Sequence, residues 1–341
     1  MKRFLVWFGL AAALCVQAAI LVPELVDARL VVLANNLENY YYHPNSGRGN
    51  YTEAEIAAKT GKIVEMMLSS GAAVFAFCEV EAKPMVLEQL ADSLNAHCGI
   101  AGRYAAVNDY IDEDWDEYYN NNIKAGFVYR TDLVAPFGSN YAATNVTYYK
   151  NTMRIQAWTE LSSGERFTLS MNHFKAKFDD ASVAKRVDNA NWLMNALSSS
   201  SKVKDPDILI MGDLNCQMGE EALSIIQSYD YEEQLLRFDA NAYSYVYYGT
   251  RELIDHAFAN SSMAEQITGA AVWHTNTSTY YANRYSDHDA VMVGLRLGET
   301  ADVQAQTAEK EAQKIIRRGQ LIIIRGGVEY TITGQRLMEH P

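Results

Sequence analysis

The stretch Asp207-Ile208-Leu209-Ile210-Met211-Gly212-Asp213-Leu214-Asn215 reads as a short buried strand that ends in a glycine and delivers a carboxylate and an amide from one strand end. Other small polar clusters are spread widely around it: Asn36 to Asn39, Glu79 to Glu81, Asn172-His173 and Ser286-Asp287-His288. Each follows or precedes an apolar run, so all of them stand where strands end. Together they read as one site.

Outward from this run, strand-like stretches alternate with helical ones. Leu30 to Ala34 and Ala72 to Phe77 read as buried strands. Between them, Thr52 to Leu68 opens on a Thr-x-x-Glu capping signal and carries apolar residues at helical spacing. Pro84 to Leu94 suits a helix with proline near its first turn. Lys124 to Tyr129, Arg154 to Leu161 and Phe167 to Met171 are strands, and Ser162-Ser163-Gly164-Glu165 is the turn between the last two. Val183 to Leu197 and Ala222 to Tyr229 are helical, while Leu253 to Ala259 and Ala290 to Leu297 are strands. The mixture predicts an α/β (α+β) chain with packed sheets flanked by helices.

Composition narrows the class. With 341 residues and 49% hydrophobic content, the chain buries a large core in one big domain or two smaller ones. The net charge of −13 excludes a protein that grips nucleic acid by bulk positive charge, because that mode neutralises many phosphates. It leaves open a hydrolase that meets phosphate through bound cations, which supply the positive field locally.

Met1-Lys2-Arg3, the apolar stretch from Phe4 and the small residues Ala18 and Ala19 have the layout of a secretory signal over residues 1–20. A retained anchor is the alternative, since about twenty apolar residues span a bilayer. The bulky Leu14 before Cys15 argues against lipid attachment there. Loss of Lys2 and Arg3 takes the formal charge from −13 to about −15. The mature chain is expected to be secreted or periplasmic, monomeric and without a stable membrane partner. Its main domain is expected over 21–298, followed by a polar, alanine-rich linker over 299–313 and a short extension over 314–341 with strands around Gly326-Gly327. Asp109 to Asn120, with Asp112, Glu113, Asp114, Asp116 and Glu117, reads as a solvated loop or as a substrate-entrance loop that repels polyanions.

Cys78, Cys98 and Cys216 lie beyond the leader, and none has the spacing of a zinc site. An odd number permits one bridge, with Cys78 and Cys98 the nearer pair. Buried apolar thiols are the plainer reading of Cys78 and Cys216.

Taken singly, the polar clusters have ordinary readings: Asn36 a turn or cap, Glu79 a residue ahead of a helix, His173 a structural histidine. Taken in order, they supply what phosphodiester hydrolysis needs. A metal takes up charge on the phosphoryl oxygens, a carboxylate orients or deprotonates water, and a donor meets the leaving oxygen. Mg²⁺ takes oxygen ligands, and Glu79 stands at a strand end where one belongs. Asp287 and His288 offer a ligand and a group that moves protons or stabilises phosphate, with Asp255 able to orient His288. Arg154 and Lys175 are basic residues able to face phosphate, with surface solvation an equal alternative.

In this order, Asn36-Leu37-Glu38-Asn39, Phe77-Cys78-Glu79-Val80-Glu81, Asn172-His173-Phe174-Lys175, Gly212-Asp213-Leu214-Asn215, Ile254-Asp255-His256 and Ser286-Asp287-His288 resemble the signature of the endonuclease/exonuclease/phosphatase superfamily, over roughly Leu30 to Leu297. The resemblance implies a four-layer sandwich, with two central, mostly antiparallel mixed sheets flanked by helices. It implies that Asn36 and Glu79 hold Mg²⁺, with Mn²⁺ or Ca²⁺ able to substitute or assist, and that Asp287 completes the metal environment. Asp213 would activate water, Asn215 would meet a phosphate oxygen, His288 paired with Asp255 would contact the scissile phosphate, and His173 would act as general acid. His173 lacks an evident carboxylate partner in the sequence. The pattern also departs from the family at His256, where relatives carry tyrosine or an apolar residue, and at Glu252 and Leu253, where an arginine is usual. Gly319-Gln320-Leu321 through Gly334-Gln335-Arg336-Leu337 resembles short C-terminal extensions on exported proteins of Bacteroidetes-type bacteria.

The expectation is therefore an exported, divalent-metal-dependent phosphoesterase, foremost a nuclease hydrolysing phosphodiester bonds of nucleic acid. Hydrolysis of a lipid or small-molecule phosphate, as in sphingomyelinases or inositol phosphatases, is the alternative. A non-catalytic binding module is the alternative from another class.

Overall fold

The computed structural model describes residues 22–25, 27–44, 51–83, 85–107, 123–146, 149–177, 179–278 and 284–298, together with the backbone of 313–317, 320–325 and 328–331. The leader, the acidic segment 109–120, Pro84, most of the linker and the Gly326-Gly327 turn lie outside the described residues.

The chain opens with β1 (Leu30–Tyr40), α1 (Glu53–Ser70), β2 (Val74–Glu81), α2 (Val86–Cys98), β3 (Tyr104–Ala106) and β4 (Ile123–Arg130). It continues through β5 (Val134–Ala142), β6 (Met153–Glu160), β7 (Arg166–His173), α3 (Asp180–Leu197), β8 (Ile208–Asp213), α4 (Glu221–Ser228), β9 (Tyr231–Glu233) and α5 (Gln234–Phe238). Then come the hairpin β10 (Tyr245–Tyr247) and β11 (Thr250–Glu252), β12 (Asp255–Asn260), α6 (Ser261–Ala264), β13 (Ile267–Trp273) and β14 (Ala290–Leu295).

Two six-stranded sheets result, ordered β13-β14-β1-β2-β4-β3 and β5-β6-β7-β8-β12-β9. Each is antiparallel except for one central parallel pair, β1 with β2 and β7 with β8. A parallel pair needs a long crossover, and α1 and α3 supply it. The two βαβ units are the organising halves of the fold.

Side-chain alternation along the strands sorts the core. On β1, Val32 and Ala34 face the other sheet and meet Trp158, Leu169 and Met211, whereas Leu33 faces outward to Ile63 of α1 and Leu90 of α2. On the far side, Ile155 and Ile210 carry Leu193 of α3 and Leu223 of α4. The molecule is thus a sandwich of helices, sheet, sheet and helices. Full burial of a side chain such as Leu33 contributes about 1.5–3 kcal/mol. The predicted cap of α1 is present: the Glu55 N–H donates to the Thr52 hydroxyl at 3.3 Å, and the Thr52 N–H donates to the Glu55 carboxylate at 2.9 Å.

The strands run further than their apolar stretches, because ladder hydrogen bonds continue into the polar ends of β1, β2, β7 and β8. Six strands between β1 and β14 are unpredicted: β3, β5, β9 and β13 are the edges of the two sheets, and β10 and β11 form a separate hairpin. In β5, Pro136 and a glycine at φ +71°, Gly138, break the alternation. At the C-terminus, β15 (Gln313–Arg317), β16 (Gln320–Arg325) and β17 (Val328–Thr331) form a three-stranded antiparallel sheet, one strand more than predicted, so Gln313 opens a strand instead of closing the linker.

The bridge considered between Cys78 and Cys98 is not present, and Cys78, Cys98 and Cys216 are free thiols. Cys78 packs between the sheets, whereas Cys98 ends α2 on the outer side of the same sheet, so the two lie on opposite faces of it. Among the described residues, no helix is long and apolar enough to cross a membrane.

Candidate active site

In α/β sheets, ligands bind beyond the carboxyl ends of parallel strands. Here the two parallel pairs end at the same edge of the sandwich. β1 and β2 bring Asn36 and Glu79, β7 and β8 bring His173 and Asp213, β12 begins at Asp255, and Ser286-Asp287-His288 leads into β14. Asn36 joins the sheets: its Nδ2 donates to Glu79 Oε1 at 3.1 Å and to Asp213 Oδ2 at 3.0 Å. His173 Nε2 lies 3.7 Å from each of those two carboxylate oxygens. His288 Nε2 lies 3.8 Å from Asp213 Oδ2, which is therefore the hub. Ser286 fastens the last arrival, donating through Oγ to the Asn36 carbonyl at 2.6 Å and accepting from the His288 N–H at 3.1 Å.

The backbone is bent to achieve this. Gly212 sits at φ +125°, and a Cβ there would lie 2.1 Å from the Asn172 carbonyl oxygen, so only glycine lets β8 approach β7 at this point. Glu79 has φ +54° inside a register break between Phe77 and Val80 in the pairing of β2 with β4, a bulge that re-aims its side chain. Glu38, Asn39 and Asn215 also have positive φ, at +47°, +55° and +51°. Such conformations cost about 1–3 kcal/mol each and gather at functional sites.

Electrostatics set the protonation pattern. Burial pushes the Asp213 carboxyl above its ordinary range; the Asp255 charge adds to this, while His288, His173 and the Asn36 hydrogen bond oppose it. For His288, burial acts against the charged ring, but the Asp255 and Asp213 charges win and hold its pKa well above the usual value. Asp255 Oδ2 lies 2.7 Å from His288 Nδ1 and accepts from Ser244 Oγ at 2.7 Å, which fixes the ring. Burial would raise Glu79, yet His173, Asn36, His288 and the Asn39 N–H together lower it. Glu79 is thus held as a carboxylate beside a carboxyl suited to accept a proton.

Negative charge is in excess on the Glu79 side. Glu38 is raised by burial and then by Asp287 and Glu79, against the opposing charges of Lys59 and Arg284. A divalent cation relieves that crowding, and the donors around it are oxygens, the set that suits a hard cation. Asp213, Asp255 and His288 also bring ligand-type atoms within 4.8 Å of one another. Asp255 Oδ2 and His288 Nδ1 are already committed to each other, so that trio is better understood as a carboxylate and imidazole pair facing the hub. The oxygens left to hold a cation belong to Glu79, Asn36, Asp287 and Asp213. The Asp287 side chain is 32% exposed and its Oδ1 lies 3.9 Å from His288 Nε2.

The remaining predicted residues are placed as follows. Asn215 donates its backbone N–H to Asp213 Oδ1 at 2.9 Å and one amide N–H to the Phe174 carbonyl at 3.2 Å, which leaves the second amide N–H for another acceptor. Arg154 is buried on β6, with Nε donating to Asn140 Oδ1 at 2.7 Å and Nη1 to the Lys150 carbonyl at 3.3 Å, on the wall of a cavity of about 430 Å³. Lys175 donates its backbone N–H to Asn189 Oδ1 at 3.0 Å. His256 points away from the site, fully buried, with Nε2 2.9 Å from the Cys216 carbonyl. A larger groove of about 580 Å³ lies over α1 and α2, lined by Ile56, Thr60 and Val64 among others, apart from this chemistry.

Three residues escaped sequence reasoning. Lys59, whose Nζ donates to the Glu38 carbonyl at 2.6 Å, occurs on an ordinary amphipathic helix. Ser244 and Tyr245, which hold Asp255 and face His288, lie in a tyrosine-rich stretch with no motif.

No known family model matches the chain, and no curated protein matches its sequence. Its fold does match solved structures. The endonuclease/exonuclease/phosphatase from Bacteroides vulgatus aligns with a TM-score of 0.56 at 12% identity, covering 79% of this chain and 98% of that one. D. rerio TDP2 complexed with single-strand DNA product aligns at 0.52 and 13% identity, covering 78% and 98%. The mannosyl-6-phosphatase of Bacteroides thetaiotaomicron aligns at 0.51 and 16% identity, covering 79% and 100%. The chain therefore has the fold of these endonuclease/exonuclease/phosphatase structures, and it carries an acidic and histidine-rich cluster where its parallel strands end.

Proposed function

We propose that this chain is an exported, Mg²⁺-dependent phosphodiesterase that hydrolyses nucleic acid. One observation carries the reading: Glu79, His173, Asp213 and His288, drawn from four separate strand ends, are linked in series, with His173 Nε2 3.7 Å from both Glu79 Oε1 and Asp213 Oδ2 and His288 Nε2 3.8 Å from Asp213 Oδ2. Mg²⁺ would be held by Glu79 with Asn36 and Asp287 beside it, and when bound it supplies positive charge to the phosphoryl oxygens. Asp213 takes a proton from the attacking water, a role suited to a carboxyl raised by burial. His288, kept protonated by Asp255, hydrogen-bonds a phosphoryl oxygen, and the second amide N–H of Asn215 supports another. His173, against the same two carboxylates, protonates the leaving oxygen. Export rests on the basic, apolar and small-residue order from Met1 to Ala19.

The test is turnover. The purified chain with Mg²⁺ is assayed on plasmid DNA, RNA, single-stranded DNA, sphingomyelin, inositol phosphates and sugar phosphates. Hydrolysis of a nucleic acid, lowered about 10²- to 10⁴-fold in Asp213→Asn, supports the reading. No turnover of any substrate by the intact chain overturns it and favours a non-catalytic module, for which Glu79→Gln leaves Mg²⁺ titrations unchanged. The net charge of −13 favours a second reading, hydrolysis of a small or lipid phosphate, since a polyanion gains least from such a surface. Turnover confined to the lipid, inositol or sugar phosphates selects it.

A further inference from the structure

The hairpin β10–β11 leans on the catalytic histidine. Tyr245 forms an isolated antiparallel bridge with His288, and their rings lie 4.7 Å apart at 34°. Outward from there, Tyr247 stacks on Tyr245 at 6.4 Å and 15°, and Tyr248 meets Tyr247 edge-on at 4.5 Å and 80°. Exposure rises along the series, from a half-buried Tyr245 to 56% at Tyr247 and 92% at Tyr248.

The tip is a two-residue turn, since Tyr247 pairs with Thr250. Both loop residues have positive φ, +45° at Tyr248 and +82° at Gly249, the conformation in which asparagine, aspartate or glycine is the usual first residue. A bulky side chain is strained there. Tyr248 is 92% exposed, so beyond its edge-on contact with Tyr247 the fold gains little packing from placing a ring at this point. The hairpin base is tied down by Arg251 stacked 4.4 Å over Tyr243, Tyr243 stacked at 4.2 Å and 17° on His274, and His274 Nδ1 2.8 Å from Asp289, the neighbour of His288.

We infer that Tyr245, Tyr247 and Tyr248 form a stacking platform for unpaired bases of a single strand whose phosphate lies at His288. The inference rests on the phosphodiesterase reading and narrows its substrate class. It answers the charge problem, because stacking on an aromatic ring needs no positive surface and tolerates any base. Bases inside a duplex are already stacked on each other and offer no free face. A membrane is the poorer occupant: Val246 is the hairpin's single aliphatic residue, beside Thr250, Arg251 and Glu252, and the net charge of −13 opposes anionic lipid.

The test uses full-length protein carrying Asp213→Asn to stop hydrolysis, alone and with Tyr247→Ala, Tyr248→Ala or Tyr248→Trp. Binding is followed with a single-stranded DNA oligonucleotide containing 2-aminopurine, the same strand made abasic, its duplex, and phosphatidylcholine vesicles. The expected result is a Kd for the base-bearing single strand that rises about 10-fold in each alanine variant and is retained in Tyr248→Trp, with no such change for the abasic strand or the duplex. Equal affinity of the parent and alanine variants for the base-bearing strand, or ring-dependent binding to vesicles alone, overturns the platform. Hydrolysis by the parent chain separates the two conclusions: cleavage of nucleic acid without ring-dependent binding defeats the platform only, whereas ring-dependent binding without any cleavage defeats the enzymatic reading only.

Discussion

Gly212→Ala is the substitution that most directly probes how the site is built. The added methyl would fall 2.1 Å from the Asn172 oxygen, 2.9 Å from its nitrogen and 3.0 Å from its carbonyl carbon. Ordinary C···O contacts lie at about 3.3 Å or beyond, so β7 and β8 must part by about 1 Å. β8 is not free to move, because Gly212 pairs with Asn172 on one side and His256 on the other. Overpacking of this kind costs about 1–3 kcal/mol. An alanine held at φ +125° adds about 1–3 kcal/mol. A loss of about 2–6 kcal/mol is therefore expected, a large part of the roughly 5–15 kcal/mol that holds a typical domain together. Urea unfolding measures it, with Gly71→Ala as the control: Gly71 has φ +64°, but a methyl added there would meet nothing within 4 Å, so its loss should be near ~1 kcal/mol. Because the strain falls between His173 and Asp213, activity should drop even in the fraction that stays folded. A Gly212→Ala chain within about 0.5 kcal/mol of the parent, the range of a neutral surface substitution, would refute the close-approach argument.

Other consequences are equally specific. Asp255→Asn removes the largest charge holding the His288 ring protonated, so an NMR titration of the metal-free chain should show its pKa fall toward the ordinary histidine value; an unmoved midpoint would contradict the pairing. Burial depresses Lys124 from 10.5 to about 7 despite Glu81. The native state then sheds this proton before the unfolded state does, so stability should rise between pH 7 and pH 10.5, by at most about 1.4 kcal/mol per pH unit. Lys124→Met should lack that slope, and parallel pH profiles for the two chains would exclude it. Thr52→Ala should cost about 1 kcal/mol in unfolding experiments by removing the α1 cap, and a neutral result would mean the capping box contributes little. Mass spectrometry of the unreduced chain should find Cys78 and Cys98 as thiols, and a linked pair would contradict their placement on opposite faces of one sheet.

What was legible in the sequence follows from what the chemistry restricts. A buried strand in a parallel pair reads as a continuous apolar run, so Leu30 to Ala34, Ala72 to Phe77 and Ile208 to Met211 were visible, as were the crossover helices between the paired strands. Carboxylates and histidines are uncommon where buried apolar strands end, so Glu79, Asp213 and His288 stood out there. The bulge at Glu79 and the left-handed turn at Glu38 left no trace, because glutamate is not a residue that signals positive φ. The edge strand β5 has no clear alternation because a strand paired on one side is free to interrupt it with proline and glycine, as Pro136 and Gly138 do.

The hairpin shows the deeper limit. Tyrosine is used in cores, at surfaces and in binding sites alike, so the run from Tyr243 to Tyr248 carries no code for any of them. Only the fold reveals that this run emerges beside His288, and that its turn holds Tyr248 at positive φ with the ring in solvent. Residues that act on the phosphate are constrained by reactivity and can be recognised by type; residues that select what the phosphate is attached to are constrained by position. If the proposed platform operates, Tyr248→Gly or Tyr248→Asn should leave hydrolysis of a small phosphodiester unchanged while weakening binding of a base-bearing single strand about 10-fold, and equal binding by variant and parent would refute the positional argument.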